Sequence, residues 1–332
     1  MTRLTVPRSV DRSVDIGYRN TRFIIDDRRT CRVFPSLAPP ADTNRRGGPF
    51  LKDRRTSIVY VDGAPYEVGE DSGLFVSTVP ILHRDYIETP EYRALLYGVL
   101  DAMQTPAIDL LVTGLPVHLH ATRWERLQSL LEGVHTIRPG VTVEIRKVAV
   151  VAQPMGGFVL HCFEQGDWKA NARKMVLVVD PGFFTFDWMV IRGLTEIPGR
   201  SGSVECGVSE YISSIQQHLS TEIGDVHTDL HRIDDGLRQG DFRIRGQPVD
   251  LAPLHRVAKG VVDRAVSALR NRVGAAHEID QIVVVGGGAP YFLDGLRKAF
   301  PKHPLHTVPD PVFANVRGFQ LIGELFRSRM TA

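Results

Sequence analysis

The stretch Met175-Val-Leu-Val-Val-Asp-Pro-Gly-Phe-Phe-Thr-Phe-Asp187 decides the predicted fold of this chain. The aliphatic run before Asp180 has no polar interruption, which is typical of a strand that is buried on both faces of a sheet. The strand is predicted to end there, because Pro181 lacks an N–H and restricts the residue before it. Gly182 lets the backbone approach an anion closely and Thr185 adds a hydroxyl, so this end could hold a metal-bound phosphate. An ordinary hairpin turn with Asp and Gly explains the stretch, taken alone, equally well.

The same pattern occurs again near the start of the chain. The segment Ser13-Val-Asp-Ile-Gly-Tyr-Arg-Asn-Thr-Arg-Phe-Ile-Ile25 places Asp15 and Gly17 two residues apart, follows them with Thr21 and continues into an apolar strand. A third element, Gln281-Ile-Val-Val-Val-Gly-Gly-Gly-Ala-Pro290, is a predicted buried strand that opens into three glycines. Two Asp-x-Gly elements one domain length apart indicate a duplicated unit that faces a shared cleft.

Length and composition favour a globular protein with more than one domain. The chain has 332 residues, of which 43% are hydrophobic and 23% are charged. A single core stops growing near roughly 250–300 residues. No apolar run approaches the ~20 residues that a membrane span needs, and the Arg-rich start lacks a signal-peptide core, so we expect a cytoplasmic protein without membrane contact. Cys31, Cys162 and Cys206 are far apart and form no C-x-x-C pair, which argues against a disulfide framework or a zinc knuckle.

Positive charge is concentrated at the start of the chain. Residues 1–60 hold 12 arginines and one lysine against six aspartates. A basic surface of this kind can bind anions or nucleic acid. However, 33 of the 40 basic residues in the whole chain are arginines, so arginine is this chain's usual cation everywhere. We therefore expect no direct contact with nucleic acid.

Local patterns predict alternating strands and helices. Helical spacing follows the Thr89-Pro90 start signal over residues 88–104 and recurs over residues 122–131, 208–223 and 253–273. Strands are predicted over residues 108–116 and 141–146, and a hairpin over residues 57–69 turns at Asp62-Gly63. Residues 198–207 are predicted to be flexible and residues 225–246 to be a polar insertion. A short strand from residue 148 ends at Gln153, where a helix is predicted to begin.

With these motifs the chain resembles the actin-like ATPases. Within them it is similar to the plasmid-segregation branch of ParM/StbA type, including archaeal relatives and protein D of the ParB-related, ThiF-related cassette. The resemblance spans residues 13–326 and rests on five matched motifs. These are the first Asp-Gly turn (residues 15–22), the helix from Gln153, the second Asp-Gly turn (residues 180–187), the glycine turn (residues 286–289) and the helix around Ala314 and Gly318. Small residues four apart in that last helix allow a close backbone approach to a neighbour.

The resemblance implies an α/β fold, namely the actin-like, ribonuclease H-like duplicated two-domain fold with nucleotide in the interdomain cleft. Each domain would hold a five-stranded mixed sheet. We expect domain I over residues 1–168 with a β-rich insertion at about 28–80, and domain II over residues 169–309 with an insertion at about 200–275. Residues 310–332 would form a C-terminal helix that returns to domain I.

The resemblance also implies the roles of individual residues. Asp15 and Asp180 would hold Mg²⁺ through water, and Gln153 would orient or activate the attacking water, so these three are the catalytic candidates. The nucleotide, ATP or ADP with GTP as an alternative, would contact the three turns. The predicted nucleotide-binding residues are Gly17, Tyr18, Arg19, Asn20, Thr21, Arg22, Gly182, Phe183, Phe184, Thr185, Gly286, Gly287, Gly288 and Ala289.

Two departures from the family pattern concern these turns. Many members carry lysine where this chain has Arg22, whose planar guanidinium is not equivalent to an ammonium and could point away from the phosphates. Phe183 and Phe184 stand where small residues are frequent. Both departures leave open a nucleotide-binding scaffold with little hydrolysis.

The function implied by the resemblance is an ATP hydrolase that forms nucleotide-dependent filaments for plasmid DNA segregation. Its partners would be further copies of itself and a DNA-bound adaptor protein. A small-molecule kinase of the same superfamily is the alternative, although no substrate base is recognisable. The G-x-G-x-x-G pattern of dinucleotide-binding domains and the Walker A pattern are both absent.

Overall fold

A computed structural model describes residues 10–42, 54–72, 85–166, 168–171, 173–224 and 230–330. The chain divides into two compact units: unit 1 comprises Met1–Gly166 with Val312–Ala332, and unit 2 comprises Asp167–Pro311. No helix among the described residues combines the length and the apolar composition needed to cross a bilayer. The loop predicted between residues 39 and 49 lies mostly outside the described residues.

The strands and helices up to residue 166 all belong to unit 1. They are β1 Asp11–Ile16, β2 Asn20–Ile24, β3 Cys31–Pro35, β4 Thr56–Val61, β5 Ala64–Gly69, α1 Pro90–Met103, β6 Ala107–Ile108, β7 Leu110–Leu115, α2 Val117–Leu131, β8 Gly133–Arg138, β9 Val141–Ile145, β10 Val148–Ala152 and α3 Gln153–Glu164.

The elements that follow form unit 2, except for the last helix, which belongs to unit 1. They are α4 Trp168–Asn171, β11 Met175–Pro181, β12 Phe186–Arg192, β13 Thr195–Glu196, β14 Gly202–Val204, α5 Val208–Ile223, α6 Leu230–Gln239, β15 Arg243–Ile244, β16 Gln247–Pro248, α7 Leu251–Val273, β17 Gln281–Val284, α8 Ala289–Ala299, β18 Leu305–Thr307 and α9 Ala314–Met330.

The central sheet of unit 1 has five strands in the order β10-β7-β1-β2-β3. Strands β10, β7 and β1 are parallel, whereas β2 and β3 continue the sheet in antiparallel fashion. The sequence had assigned residues 31–35 to an insertion, but β3 pairs with β2 along its whole length and so completes the main sheet. The separate hairpin β4–β5 turns at Asp62 and Gly63, both with positive φ, which confirms the predicted turn.

The central sheet of unit 2 has six strands rather than the five predicted. Its order is β13-β12-β11-β17-β18, and β14 also pairs with β12. The extra strand β14 lies in the segment predicted to be flexible. It is held because the Trp188 indole N–H donates to the Arg200 carbonyl at 3.0 Å, while a Cβ on Gly202 would lie only 2.7 Å from the Trp188 ring. A glycine there lets the strand lie flat on the indole.

Two helices differ from the sequence prediction. Helix α2 begins at Val117 rather than at residue 122, because the Pro116 carbonyl already accepts the N–H groups of Leu119 and His120. Helix α6 lies in the segment predicted to be a polar insertion. The predicted helix over residues 253–273 is confirmed as α7, which begins at Leu251 where Asp250 caps the N–H of Ala252 at 3.0 Å.

Helices α3 and α9 cross at two glycines within unit 1. A Cβ on Gly318 would lie 1.8 Å from the Gly156 carbonyl oxygen, and a Cβ on Gly156 would lie 2.5 Å from the Asn315 carbonyl oxygen. Only glycine at both positions lets the two backbones approach this closely. The close approach predicted from the spacing of Ala314 and Gly318 is confirmed, and its partner is the helix that starts with Gln153.

Candidate functional site

Two predicted catalytic residues meet at one edge of the unit 1 sheet. Because β10, β7 and β1 are parallel, their carboxyl ends lie at the same edge, which places Gln153 beside Asp15. The Gln153 Nε2 donates to Asp15 Oδ1 at 2.8 Å, and Asp15 is only 3% exposed. An ionised carboxylate accepts hydrogen bonds and cannot donate them, so the amide nitrogen must face Asp15 and Gln153 Oε1 is left to accept from another group.

The position of Gln153 depends on a glycine that the sequence analysis did not single out. A Cβ on Gly114, in β7, would lie 2.4 Å from the Phe319 ring and 3.0 Å from Gln153 Cγ. Any side chain at residue 114 would therefore push against both α9 and the glutamine. Its requirement for glycine follows from the packing of α9 on β7 and from the pairing of β7 with β10, which local sequence patterns do not reveal.

The first Asp-Gly turn is closed and clamped by Ser36. Within the turn, the Gly17 N–H donates to the Asn20 carbonyl at 3.1 Å. The Ser36 N–H donates to the Arg19 carbonyl at 2.8 Å, and its hydroxyl donates to the Gly17 carbonyl at 2.6 Å. The Thr21 hydroxyl, which is fully buried, lies 2.9 Å from the same Ser36 hydroxyl. The sequence missed Ser36, which supports the turn from the end of β3.

Arg22 and Tyr18 also contact groups within unit 1. Arg22 Nη1 lies 3.4 Å from Asp15 Oδ2 and 3.4 Å from the Asn20 carbonyl oxygen. The side chain therefore reaches the carboxylate that was predicted to hold a cation. The Tyr18 ring stacks on Tyr86 at 5.1 Å between centroids, and burial raises the pKa of the Tyr86 hydroxyl.

The second predicted aspartate and the glycine turn meet at one edge of the unit 2 sheet. Strands β11 and β17 are parallel neighbours, so Asp180 and Gly286 follow at the same end. Gly286 has a φ of +77°, and a Cβ there would lie 2.0 Å from Asp180 Oδ1. The Gly288 N–H donates to the Pro181 carbonyl at 2.8 Å and so ties the glycine turn to the second Asp-Gly turn. Ala289 is the first residue of α8.

The second Asp-Gly turn is held by the start of α5. Its own closing bond runs from the Gly182 N–H to the Thr185 carbonyl at 2.8 Å. The N–H groups of Val208 and Ser209, which have no acceptor inside α5, donate to the carbonyls of Gly182 and Phe183 at 3.1 and 2.7 Å. The helix start thus fixes the carbonyl side of this turn.

The side chains of the second Asp-Gly turn face partners in unit 2. The Thr185 hydroxyl donates to Asp187 Oδ2 at 2.5 Å, and Thr185 is 4% exposed. Phe183 packs against the hydrophobic core of this unit, while Phe184 is half-buried and its carbonyl accepts the Gly207 N–H at 3.1 Å. Phosphate contacts of these side chains stay a prediction.

Arg238 connects the glycine turn to a buried carboxylate, and the sequence analysis missed it. Its Nη1 donates to the Gly287 carbonyl at 2.9 Å, and its Nε lies 3.0 Å from both oxygens of Asp234. Asp234 is fully buried and also accepts the Tyr291 hydroxyl at 2.5 Å. The guanidinium stacks over the Tyr291 ring at 5.2 Å. Because α6 had been predicted as a polar insertion, no local signal pointed to this role.

The predicted site residues therefore form two groups, one in each unit. Asp15, Gln153 and the first Asp-Gly turn come together in unit 1, and Asp180, the second Asp-Gly turn and the glycine turn come together in unit 2. The described residues contain no cluster of three or more His, Cys, Asp or Glu side chains that could hold a metal unaided. Single carboxylates suit Mg²⁺, which keeps several waters and is usually held by one or two carboxylates and substrate phosphates.

Two family models match the sequence. Residues 13–156 match actin-like proteins, N-terminal domain, and residues 178–298 match archaeal actin homologue MreB-like, C-terminal. The matches begin just before the two Asp-Gly turns. The chain belongs to the actin-like superfamily. No curated protein matches its sequence at a significant level.

Solved structures share this actin-like fold over nearly the whole chain. An archaeal actin homologue, Ta0583, is 20% identical with a TM-score of 0.78, covering 96% of this chain and 99% of that one. The same homologue in complex with ADP is 18% identical with a TM-score of 0.74, covering 95% and 99%. A 15-stranded ParM filament from Clostridium botulinum is 18% identical with a TM-score of 0.77, covering 96% and 99%. The two-domain actin-like α/β fold expected from the sequence is thereby confirmed.

Proposed function

We propose that this protein is an ATPase that assembles into nucleotide-dependent filaments and moves plasmid DNA apart. The observation that carries the proposal is the 2.8 Å bond between Gln153 and Asp15 at the end of β1. It pairs a carboxylate with an amide whose oxygen has no hydrogen-bond partner among the described residues and can accept from a water molecule. The matching carboxylate edge of unit 2, with its glycine turn, would supply the second half of such a site.

The chain's own groups would bind the triphosphate mainly through the backbone. Gly17 and Gly182 have no side chain to keep an anion away from the two Asp-Gly turns. Gly286, Gly287 and Gly288 would let the ribose and base pass close to the glycine turn, where Arg238 fixes the Gly287 carbonyl. An ADP complex of the archaeal homologue supports nucleotide binding by this fold.

Gln153 would orient the attacking water. Its Nε2 is committed to Asp15, so its Oε1 can accept a hydrogen from water and aim a lone pair of that water at the γ-phosphate. Positioning of this kind carries much of the catalysis in phosphoryl transfer, because the protein forms no covalent bond.

Asp15 and Asp180 would hold the hydrated cation from the two units. Both are buried, at 3% and 5% exposure, which strengthens their interaction with a cation. When bound, Mg²⁺ neutralises the charge that develops on the phosphate oxygens. The described residues fit this role because each unit contributes one carboxylate at the end of a central strand.

The proposal of filament formation and plasmid segregation is supported by similarity to relatives. A ParM filament from Clostridium botulinum shares the fold over nearly its whole length, which supports self-association of this chain. A DNA-bound adaptor protein would link the filament to the plasmid.

Sedimentation and phosphate release test the proposal together. The protein is centrifuged with Mg-ATP, with Mg-ADP and without nucleotide, and free phosphate is measured in the same tubes. We expect a pellet with ATP, less with ADP, and phosphate release without any added acceptor. Gln153→Ala should still pellet with ATP but release phosphate slowly.

Three other outcomes would replace the proposal. No ATP-dependent pellet and no phosphate release would remove both filament and ATPase functions. Phosphate transfer that requires an added small-molecule acceptor would indicate a kinase. Nucleotide binding with no turnover in the wild type, or turnover that Gln153→Ala leaves unchanged, would indicate a nucleotide-binding scaffold.

A further inference from the structure

Asp15 is neutralised by the chain's own arginine. The described residues give its carboxylate two side-chain partners, the Gln153 amide on Oδ1 at 2.8 Å and the Arg22 guanidinium near Oδ2 at 3.4 Å. The side chains of Arg22 and Asp15 are only 13% and 5% exposed. A cation that binds near Asp15 would therefore meet the positive charge of Arg22 at close range.

Arg22 is held loosely in this position. A distance of 3.4 Å is long for an N–H···O hydrogen bond, for which about 2.9 Å is typical. Its second contact, to the Asn20 carbonyl, is equally long, and among the described residues its buried Nε has no hydrogen-bond partner. A guanidinium has five N–H donors, so most of its bonding capacity is unused here.

The unused donors suit a phosphate. Arginine binds phosphate oxygens with two parallel N–H donors, and these charge-assisted bonds are shorter and stronger than the present contacts. Arg22 lies next to the turn that is proposed to receive the triphosphate: Nη1 would be only 3.5 Å from a Cβ built on Gly17. A small rotation of the side chain would exchange the carboxylate for a phosphate oxygen.

We propose that Arg22 is an exchangeable counter-ion, which neutralises Asp15 in the nucleotide-free protein and moves to the phosphates when a nucleoside triphosphate enters. This inference rests on the proposed nucleotide site. The exchange uncovers Asp15 for a hydrated divalent cation only when the phosphates are present. It also means that the chain carries its own replacement for part of that cation's charge, so nucleotide binding depends less on Mg²⁺ than it would without Arg22.

The test is the ratio of nucleotide affinities without and with Mg²⁺. The dissociation constant of N-methylanthraniloyl-ATP is measured by fluorescence titration of the full chain, once in EDTA and once in Mg²⁺. In Arg22→Met the ratio of the EDTA value to the Mg²⁺ value should rise at least about tenfold, since a lost charged hydrogen bond is uncompensated only in EDTA. Arg22→Lys keeps the charge but not the paired N–H donors, so its ratio should lie between those of the wild type and Arg22→Met.

Two further variants separate a counter-ion from a simple phosphate contact. In Asp15→Asn the carboxylate charge is gone, so adding Arg22→Met should raise the ratio by less than it does in the wild type, because the phosphate contact is lost but no negative charge is uncovered. Arg32→Met removes a positive charge from an exposed position on β3 and should leave the ratio unchanged. Circular dichroism confirms that each variant is folded.

Each possible result either supports or overturns the counter-ion role of Arg22. Equal losses of affinity in both buffers for Arg22→Met, or a rise of the ratio that is as large in the Asp15→Asn background as in the wild type, would overturn the counter-ion role while leaving the nucleotide site intact. If the wild type binds no N-methylanthraniloyl-ATP in either buffer, the result contradicts both the proposed function and the exchange, which rests on it.

Discussion

The first and second Asp-Gly turns share a sequence pattern but differ in what holds them. The first turn is stabilised mainly by side chains. Gln153 and Arg22 contact Asp15, and the Ser36 hydroxyl donates to the Gly17 carbonyl. In the second, the backbone N–H groups at the start of α5 hold the carbonyl side of the turn, and the Gly288 N–H joins it to the glycine turn. The repeated sequence motif thus predicts where the two turns lie, but it does not predict which contacts stabilise each of them.

This difference has a consequence for substitutions. Support by side chains can be removed one group at a time, whereas support by close-packed backbone fails when any Cβ is added. We therefore expect the second turn to be intolerant of added atoms and the first turn to respond to single lost polar groups.

The largest effect is expected for Gly286→Ala in the glycine turn. The new Cβ would overlap Asp180 Oδ1 at 2.0 Å, and φ is +77°. Left-handed backbone and overpacking together should lower the free energy of unfolding by about 3–4 kcal/mol, as measured by urea denaturation. Gly240→Ala is the matched control, since its φ is +71° and no atom lies within 4 Å of its Cβ. That control should cost about 1 kcal/mol, and equal losses would show that the glycine turn is not closely packed on Asp180.

Arg238→Met should lower the free energy of unfolding by about 2–3 kcal/mol, because it removes a guanidinium from the fully buried Asp234, although the arginine side chain is itself 32% exposed. The Gly287 carbonyl also loses a donor, so nucleotide affinity should fall. Arg243→Met is the control: its ion pair with Asp241 is more than half exposed, and such pairs contribute about 0–1 kcal/mol. Urea denaturation of both variants gives the comparison, and a mild effect for Arg238→Met would mean that the glycine turn does not depend on this ion pair.

Gln153→Ala tests the first turn through catalysis rather than stability. Turnover of ATP should fall about 100-fold, because the attacking water loses its acceptor, while nucleotide affinity changes by less than about threefold. Gln165→Ala, at the exposed end of the same helix, should leave turnover unchanged. Phosphate release and fluorescence titration measure the two quantities separately, and a parallel loss of both would show that Gln153 acts in binding instead.

The smallest effect is expected for Ser36→Ala compared with Ser203→Ala. Ser36→Ala removes the clamp on the first turn and should cost about 1–2 kcal/mol of stability. It should also weaken nucleotide binding severalfold. Ser203 donates to Asp187 beside the second turn, where Thr185 provides a second donor. Ser203→Ala should leave nucleotide affinity unchanged. If Ser36→Ala and Ser203→Ala lowered the affinity equally, the two turns would not differ in their dependence on side chains.

The features that the sequence predicted are those with local signals. An apolar run that stops at Asp-Pro-Gly marks the end of β11, and a strand followed by Gln153 marks the start of α3. Small residues four apart in α9 indicated a close backbone contact, although not its partner Gly156. Each of these depends on residues within one turn or one strand.

The features that the sequence missed depend on pairing between distant segments. Ser36 reaches the first turn because β3 lies beside β2, and Gly114 matters because β7 lies beside β10 and under Phe319 of α9. Arg238 acts from helix α6, which has two arginines and two aspartates and which the sequence analysis predicted as a polar insertion. The contact between Arg22 and Asp15 could not be predicted from the sequence either, since a side chain on a strand can face either side of the sheet.

Under the proposed function, Asp15 and Asp180 would share one nucleotide-bound cation. Crystals grown with Mn²⁺ and ADP allow the metal to be located by anomalous scattering. We predict one manganese peak on the phosphates, within about 5 Å of both carboxylates, as a bridging water requires. A peak near only one of the two aspartates, or one bound to the phosphates away from both, would contradict the account.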